Sequence, residues 1–178
     1  MTVAPEQQSY GHEGSGQVIT GILLPSDETK PLKVVEVDAE NVETMQGIVE
    51  GSFEVFNFDT PGASIFANDE AMLYSLPHNR RATLLLWQHA KGLRGQAYIS
   101  GEAILTGAAG LSGQTKSTPP DLVRLLTEAT TFHVETLHNP KGQWHRRDQF
   151  DNWVDAYNHA IIQERTYATV YSARVVGA

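Results

Sequence analysis

The sequence contains no cysteine. This absence excludes disulfide bonds, thiolate metal ligands, cysteine nucleophiles and the cysteine-containing zinc signature of nucleic-acid deaminases. It is also typical of proteins that work in a reducing cytoplasm.

Long apolar runs are missing as well. The longest run, residues 84–87, is far shorter than the roughly 20 residues that a membrane-spanning helix requires. Residues 1–10 have no basic stretch followed by an apolar block, so the sequence predicts no signal peptide. We therefore expect a soluble, cytoplasmic protein with no membrane partner.

Motifs that would fix a reaction are also absent. The sequence has no Gly-x-Ser-x-Gly elbow, no Walker phosphate loop, no dinucleotide-binding glycine motif after a strand and no His-Glu-x-x-His. The glycine-rich residues 11–16 lie in a polar tail, without the preceding strand that a phosphate loop needs. No catalytic residue, metal or cofactor is assigned, and the sequence favours a non-enzymatic protein.

Charge is present but unevenly distributed. The net charge is −8, yet residues 27–70 hold eleven acidic and two basic residues, whereas residues 71–178 have a balance of +3. This acidity disfavours direct nucleic-acid binding, because the phosphate backbone requires a basic surface. The acidic segment is either a solvated face or a surface for a basic partner.

The order of periodic segments and breaks predicts an α+β fold. We expect a disordered tail over residues 1–16, an α+β module over 17–107, a linker over 108–117 and an α-β-β-α-β module over 118–178. Both modules have mainly antiparallel sheets and can pack as one body. At 40 % apolar residues, the chain can bury a hydrophobic core.

Local signals place several element boundaries. Asn79 is a good N-cap for a helix over residues 80–90, and a strand is predicted over 96–106 with Gly101 in its middle. The last long helix is predicted to begin near Asp148 or Asp151.

Between about residues 32 and 107, the chain resembles the domain-of-unknown-function 3846 family. The shared features are a helix followed by residues 47–53, the polar break 68–70, the phrase Leu76-Pro77-x-Asn79-Arg80-x-Ala82-Thr83 and the strand 101–107. Members occur in actinobacterial, phage and conjugative-element proteins, so the resemblance implies a phage or mobile-element origin but no activity. It covers neither residues 1–16 nor residues 108–178.

Four residues are candidates for contact with a ligand or partner. Arg80 and Arg81, beside the helix start at Asn79, could bind a phosphate or carboxylate. Alternatively, Asn79 caps the helix while the arginines pair with the acidic segment. Asn68, in the Asn68-Asp69-Glu70 break, is the fourth candidate. These three residues could supply oxygen ligands to a metal, although a simple turn is favoured because consecutive side chains do not converge.

A second metal site can be drawn from residues of the last module. His133 and Glu135 share one face of a predicted strand, with His138 or His145 nearby. The spacing is loose, and such spacing also arises by chance.

From the sequence we expect a non-enzymatic accessory protein of a phage or mobile element that binds and modulates a host macromolecule. A host protein is the expected partner, and the modulation could act against host defence. Three alternatives stay open. The protein could be a sponge for a nucleotide or another small anionic ligand, a metal-dependent hydrolase using His133, Glu135 and His145, or a structural virion protein. A homodimer is compatible with each.

Overall fold

The computed structural model describes residues 8–10, 16–58, 60–110 and 113–178. Two sheets form the framework, and their antiparallel character confirms the predicted α+β class. The larger sheet has the spatial order β1-β3-β2-β6-β5-β4, with only β1 and β3 parallel to each other among its described strands. Its strands are β1 (Gln8–Tyr10), β2 (Val18–Leu24), β3 (Lys33–Asp38), β4 (Phe53–Phe58), β5 (Ala63–Asn68) and β6 (Ala103–Gly107).

The smaller sheet has the order β8-β7-β9 and is antiparallel throughout. It contains β7 (Phe132–Leu137), β8 (Trp144–Phe150) and β9 (Ser172–Gly177). The α-helices of the described residues are α1 (Val42–Val49), α2 (Arg80–His89), α3 (Pro120–Thr127) and α4 (Trp153–Thr166). A short 3₁₀ turn, Lys91–Leu93, follows α2.

Both faces of the larger sheet are covered, which explains why β5 and β6 are buried along their whole length. Successive side chains of a strand point to opposite faces. Ile104 accordingly packs in a small cluster with Met45 of α1, whereas Leu105 packs in the main core on the other side. The short α1 therefore closes one face, and the rest of the protein closes the other.

The second face of the larger sheet shares its core with the smaller sheet. This main core joins Leu105 of the larger sheet, Leu86 of α2, Trp153 and Tyr157 of α4, and Val134 of the smaller sheet. α2 contacts α4 and is buried around most of its circumference. The segments predicted as two modules thus share one hydrophobic core.

The predicted linker, residues 108–117, lies partly outside the described residues, at positions 111 and 112. Its described end is fixed to the larger sheet. The backbone N–H of Gly107 donates to the carbonyl of Lys116. The backbone N–H of Thr118 donates to the carbonyl of Thr20, and its hydroxyl donates to that of Leu105. The Thr118 hydroxyl therefore serves the sheet, and α3 begins without a side-chain cap.

The predicted tail also differs from the structure where it is described. Residues 8–10 form β1, because the open edge of β3 offers backbone donors and acceptors that even a polar segment can pair with. The remainder of that prediction, residues 1–7 and 11–15, lies outside the described residues.

One predicted boundary is wrong, and another, the start of the last helix near Asp151, is one residue from the observed cap. Gly101 does not lie within a strand: it adopts φ +78° just before β6, where a Cβ would lie 2.8 Å from a methyl carbon of Leu76. α4 begins after Asn152, whose side-chain oxygen accepts from the backbone N–H of Asp155. Asp148, one of the expected caps, instead pairs with His159 at 2.9 Å.

Within the described part of the chain, no helix combines the length and apolar character needed to cross a membrane.

Candidate functional site

Asn79 is completely buried at the start of α2 and caps that helix, as the sequence predicts. Its side-chain oxygen accepts from the backbone N–H of Ala82 at 3.0 Å. Its amide nitrogen donates to the carbonyl of Leu24 at 2.7 Å and to the carbonyl of Gly101 at 2.9 Å. Both amide protons and the oxygen are therefore engaged, and Asn79 fixes α2 to the end of β2 and to the approach to β6.

Arg81 is also buried, and its guanidinium binds backbone carbonyls. Nη1 donates to the carbonyl of Lys30 at 2.7 Å, while Nη2 donates to those of Pro25 and Asp27 at 2.5 and 2.8 Å. Burial lowers the pKa of the guanidinium from its ordinary value. The sequence-based alternative, in which the arginines pair with acidic residues, does not describe Arg81: this side chain holds the turn 25–30 through main-chain oxygens.

Arg80 is the accessible member of the group, with 43 % of its side chain exposed. Its guanidinium lies 3.6 Å from the carboxylate of Glu28 and 4.0 Å from that of Asp155. Ion pairs this exposed contribute little to stability. Of the three residues at the start of α2, Arg80 alone has a charged group available to a partner in solution.

Asn68 is buried at the end of β5, where it caps the carboxyl end of α1. Its amide nitrogen donates to the carbonyls of Val49 and Glu50, both at 3.1 Å, and its oxygen accepts from the backbone N–H of Glu70. Those bonds make the Asn68-Asp69-Glu70 break a turn, the favoured prediction, with the Asn68 side chain directed inward.

Among the residues of the hypothetical metal-dependent hydrolase, Glu135 is engaged in other contacts. Glu135 accepts two hydrogen bonds from Arg174, at 2.7 and 2.9 Å, and lies 3.7 Å from Arg146. A β-bulge separates His133 from Glu135, and His145 is on the neighbouring strand. Over the described residues, no three His, Asp or Glu side chains are grouped closely enough to hold a metal ion.

The loop of residues 69–75, which follows Asn68 at the end of β5, is a different kind of feature, and we call it the apolar loop. Met72 is 90 % exposed, Leu73 73 % and Tyr74 62 %. Three consecutive large apolar side chains therefore face solvent, whereas the flanking Ala71 is buried. Single exposed apolar residues are normal on a protein surface, whereas a contiguous group of them is often functional.

Backbone hydrogen bonds hold the apolar loop in a defined shape. The N–H of Tyr74 donates to the carbonyl of Glu70, that of Ser75 to Met72, and that of Leu76 to Ala71. Ser75 adopts the left-handed conformation at φ 53°, which closes the turn. The exposed side chains are thus carried on an ordered backbone, so ordering this loop adds little to the free-energy cost of binding.

Acidic side chains surround the base of the apolar loop. Asp69 and Glu70 are exposed at its start. Glu54 lies on the edge strand β4, where it is paired with Ala67 near the end of β5. Burial raises the pKa of the Glu54 carboxyl, and the negative charge of Asp69 raises it further. The surface is therefore apolar at its tip and negative around it.

The sequence did not single out residues 72–74. An apolar triplet normally indicates burial, and only the preceding Asn68-Asp69-Glu70 and the following Pro77 marked this stretch as a connection between elements. The closed turn is what exposes the side chains of residues 72–74, and no periodic pattern in the sequence predicts such a turn.

The fold and these surfaces define an α+β protein with a buried polar network at the start of α2 and an apolar, acid-rimmed loop outside. The chain belongs to the family described as Domain of unknown function (DUF3846), whose model matches residues 19–131. The resemblance seen in the sequence is confirmed, and it extends from β2 through α3, so it includes the whole predicted linker. The smaller sheet lies beyond the match.

Neither the comparison with curated proteins nor the comparison with solved structures gave a significant match.

Proposed function

We propose that the protein is a non-enzymatic accessory protein of a phage or mobile element that binds a host protein through the apolar loop. The observation that carries this proposal is the exposure of Met72, Leu73 and Tyr74 on a hydrogen-bonded backbone. Tyrosine is one of the residue types that carry most of the binding energy at protein interfaces, and removing the neighbouring apolar side chains from water adds to it. Such a protein acts in the host cytoplasm.

The chemistry of the loop specifies the partner. Its tip requires an apolar pocket, and Asp69 and Glu70 at its base favour lysine or arginine side chains around that pocket. The acidic segment 27–70 adds long-range attraction for a basic surface, which salt weakens. The proposed partner is therefore a host protein with an apolar cleft and a basic rim, and binding blocks that cleft.

The alternative functions have less support from the geometry. The sponge hypothesis places its anion at Asn79, Arg80 and Arg81, but two of these side chains are buried and bonded to protein groups. The hydrolase hypothesis depends on Glu135, which is paired with two arginines. A virion protein would use the apolar loop to bind copies of itself, which the experiment below distinguishes.

The test compares two double variants in which one aliphatic residue and one tyrosine, both exposed, are changed to serine. Leu73→Ser with Tyr74→Ser removes the tip of the apolar loop; Ile162→Ser with Tyr171→Ser is the control on a different part of the surface. The partner is captured from host lysate with the tagged wild-type protein, purified, and titrated by calorimetry against all three proteins. We expect the loop variant to bind at least about tenfold more weakly and the control to bind like wild type.

Two results would contradict the proposal. One is a purified partner that binds the loop variant with wild-type affinity. The other is self-association: a dimer or larger oligomer, measured by light scattering, that dissociates in the loop variant would show that the occupant is a second copy of this chain.

A further inference from the structure

A cavity of about 340 Å³ lies where the smaller sheet meets α2 and α4. Its wall includes Gln88 and His89 from the end of α2, Trp144 from β8, Tyr157 from α4 and Arg174 from β9. The volume is within the range of roughly 300–1,000 Å³ found for small-molecule sites, near its lower end. The cavity shares no residue with the apolar loop.

Gln88, in the wall of the cavity, has a side-chain acceptor that no protein group uses. Gln88 is 6 % exposed, and its amide nitrogen donates to the carbonyl of Ala173 at 2.7 Å. A carbonyl can only accept, so this bond fixes the orientation of the amide and leaves the side-chain oxygen as the free atom. That oxygen is buried and has no hydrogen-bond partner. A buried acceptor without a donor is costly. The oxygen is closed off from solvent in the free protein, so a ligand N–H would satisfy it as the Gln88 side chain shifts toward the cavity on binding.

Neutral aromatic groups lie beside this acceptor. The Tyr157 phenol is fully buried, which raises its pKa and keeps it protonated, and burial lowers the pKa of His89 to about 4, so the imidazole is uncharged near neutral pH. The two rings are 5.9 Å apart, in an edge-to-face arrangement. An uncharged, aromatic inner wall suits a flat, uncharged ring rather than an ion.

The mouth of the cavity is positively charged. Lys91 and Arg174 line it with about half of each side chain exposed, and the Arg174 guanidinium stacks on the Trp144 ring at 4.2 Å. Their carboxylate partners are each shared with another cation: Glu164 pairs with Lys91 and Arg94, and Glu135 pairs with Arg174 and Arg146. Four cations face two carboxylates, which leaves an excess of positive charge for an anionic group.

We propose that this cavity binds a nucleoside monophosphate, with a ring N–H of the base directed to the Gln88 side-chain oxygen and the phosphate held by Lys91 and Arg174. The inner wall accounts for the base, because it is aromatic and uncharged and presents an acceptor. The mouth accounts for the phosphate, because its cations outnumber their carboxylate partners. The same chemistry makes an uncharged nucleoside a weaker ligand.

The test is calorimetric titration of the full chain with the monophosphates of adenosine, guanosine, cytidine and uridine, with the four nucleosides and with inorganic phosphate. We expect saturable binding of at least one monophosphate, about tenfold weaker binding of its nucleoside, and weaker binding still of inorganic phosphate. Absence of saturable binding of every monophosphate up to about 1 mM overturns the proposal. So does inorganic phosphate that binds as tightly as the monophosphate.

Variants place the ligand in the cavity. Gln88→Leu removes the acceptor, and Arg174→Gln removes a cation at the exposed mouth without disturbing the core. Arg165→Gln, an exposed arginine of α4 that does not line the cavity, is the charge-matched control. We expect Arg174→Gln to weaken the monophosphate about tenfold and leave the nucleoside unchanged, and the control to change neither. Wild-type affinity in Arg174→Gln overturns the site, even if Gln88→Leu fails to fold.

Discussion

The apolar loop and the polar network that follows it are neighbours in sequence and opposites in environment. In the loop, Met72, Leu73 and Tyr74 face solvent. A few residues later, Asn79 and Arg81 are buried. Proteins ordinarily bury large apolar side chains and expose asparagine and arginine. The burial in one region and the exposure in the other therefore each need a physical explanation.

The difference shows which region stabilises the fold and which is free to bind. The amide of Asn79 and the two terminal nitrogens of Arg81 donate to backbone carbonyls from β2, the turn 25–30 and the approach to β6. These bonds compensate most of the cost of burial within the chain, although Nε of Arg81 is buried without a partner. The apolar side chains of the loop have no such compensation. Changes to the network should therefore affect stability, and changes to the loop should affect binding.

Asn79→Ala should produce the largest loss of stability. The variant removes the helix cap and leaves the buried carbonyls of Leu24 and Gly101 without their donor, which together should lower the free energy of unfolding by about 3–4 kcal/mol. Asn152→Ala is the matched control: the same residue type caps α4, but at an exposed position, and its loss should cost about 1 kcal/mol. Urea titration measures both. Equal costs would show that burial of Asn79 adds nothing to its capping role.

The contrast between these two caps also shows what a sequence can predict. That Asn79 begins a helix follows from local preference and from the apolar pattern after it, and the structure confirms it. That its amide also binds Leu24 and Gly101 depends on strands brought together by the fold, which no local pattern specifies. The same holds for Arg81, whose acceptors lie in a turn about fifty residues earlier.

The features that were not predicted from the sequence have the same cause, because they too depend on contacts between distant segments. Residues 8–10 form a strand because β3 has an open edge, not because of their own composition. The exposure of Met72 and Leu73 could not be predicted, since apolar residues usually mark the core. The cavity beside Gln88 is formed by elements from both sheets, so no single stretch of sequence carries its signature.

His89 extends the comparison to a buried group that can titrate. Burial lowers its folded-state pKa from 6.5 to about 4, so between these values the unfolded chain binds the additional proton. Stability from this group is complete above about pH 6.5 and is lost as the pH falls toward 4, by about 3 kcal/mol in total. Nearby Lys91 and Glu164 act in opposite directions and are weaker influences on the imidazole.

The measurement compares the free energy of unfolding of wild type and His89→Gln across this pH range. Glutamine does not titrate, so the advantage of the wild type should shrink by that amount between pH 7 and pH 4. Parallel curves would mean that the imidazole is solvated in the folded protein, and the inner wall of the cavity would then not be the uncharged surface described above.

Arg80 and Arg81 are adjacent in sequence, and replacing them should give the smallest losses of stability in this series. Arg81→Met leaves three carbonyls of the turn 25–30 without their donor and should lower the free energy of unfolding by about 2 kcal/mol. Arg80→Met removes only exposed ion pairs with Glu28 and Asp155 and should cost about 0.5 kcal/mol or less.

Salt distinguishes the two arginines further. Raising the salt concentration should abolish the small effect of Arg80→Met, because the charges that it removes are screened by solvent ions. The effect of Arg81→Met should persist, because its hydrogen bonds are made to carbonyls in a largely buried setting. Urea titrations of both variants at low and high salt measure this difference. A salt-sensitive Arg81→Met would indicate that carboxylates, rather than the carbonyls of the turn, hold that guanidinium in place.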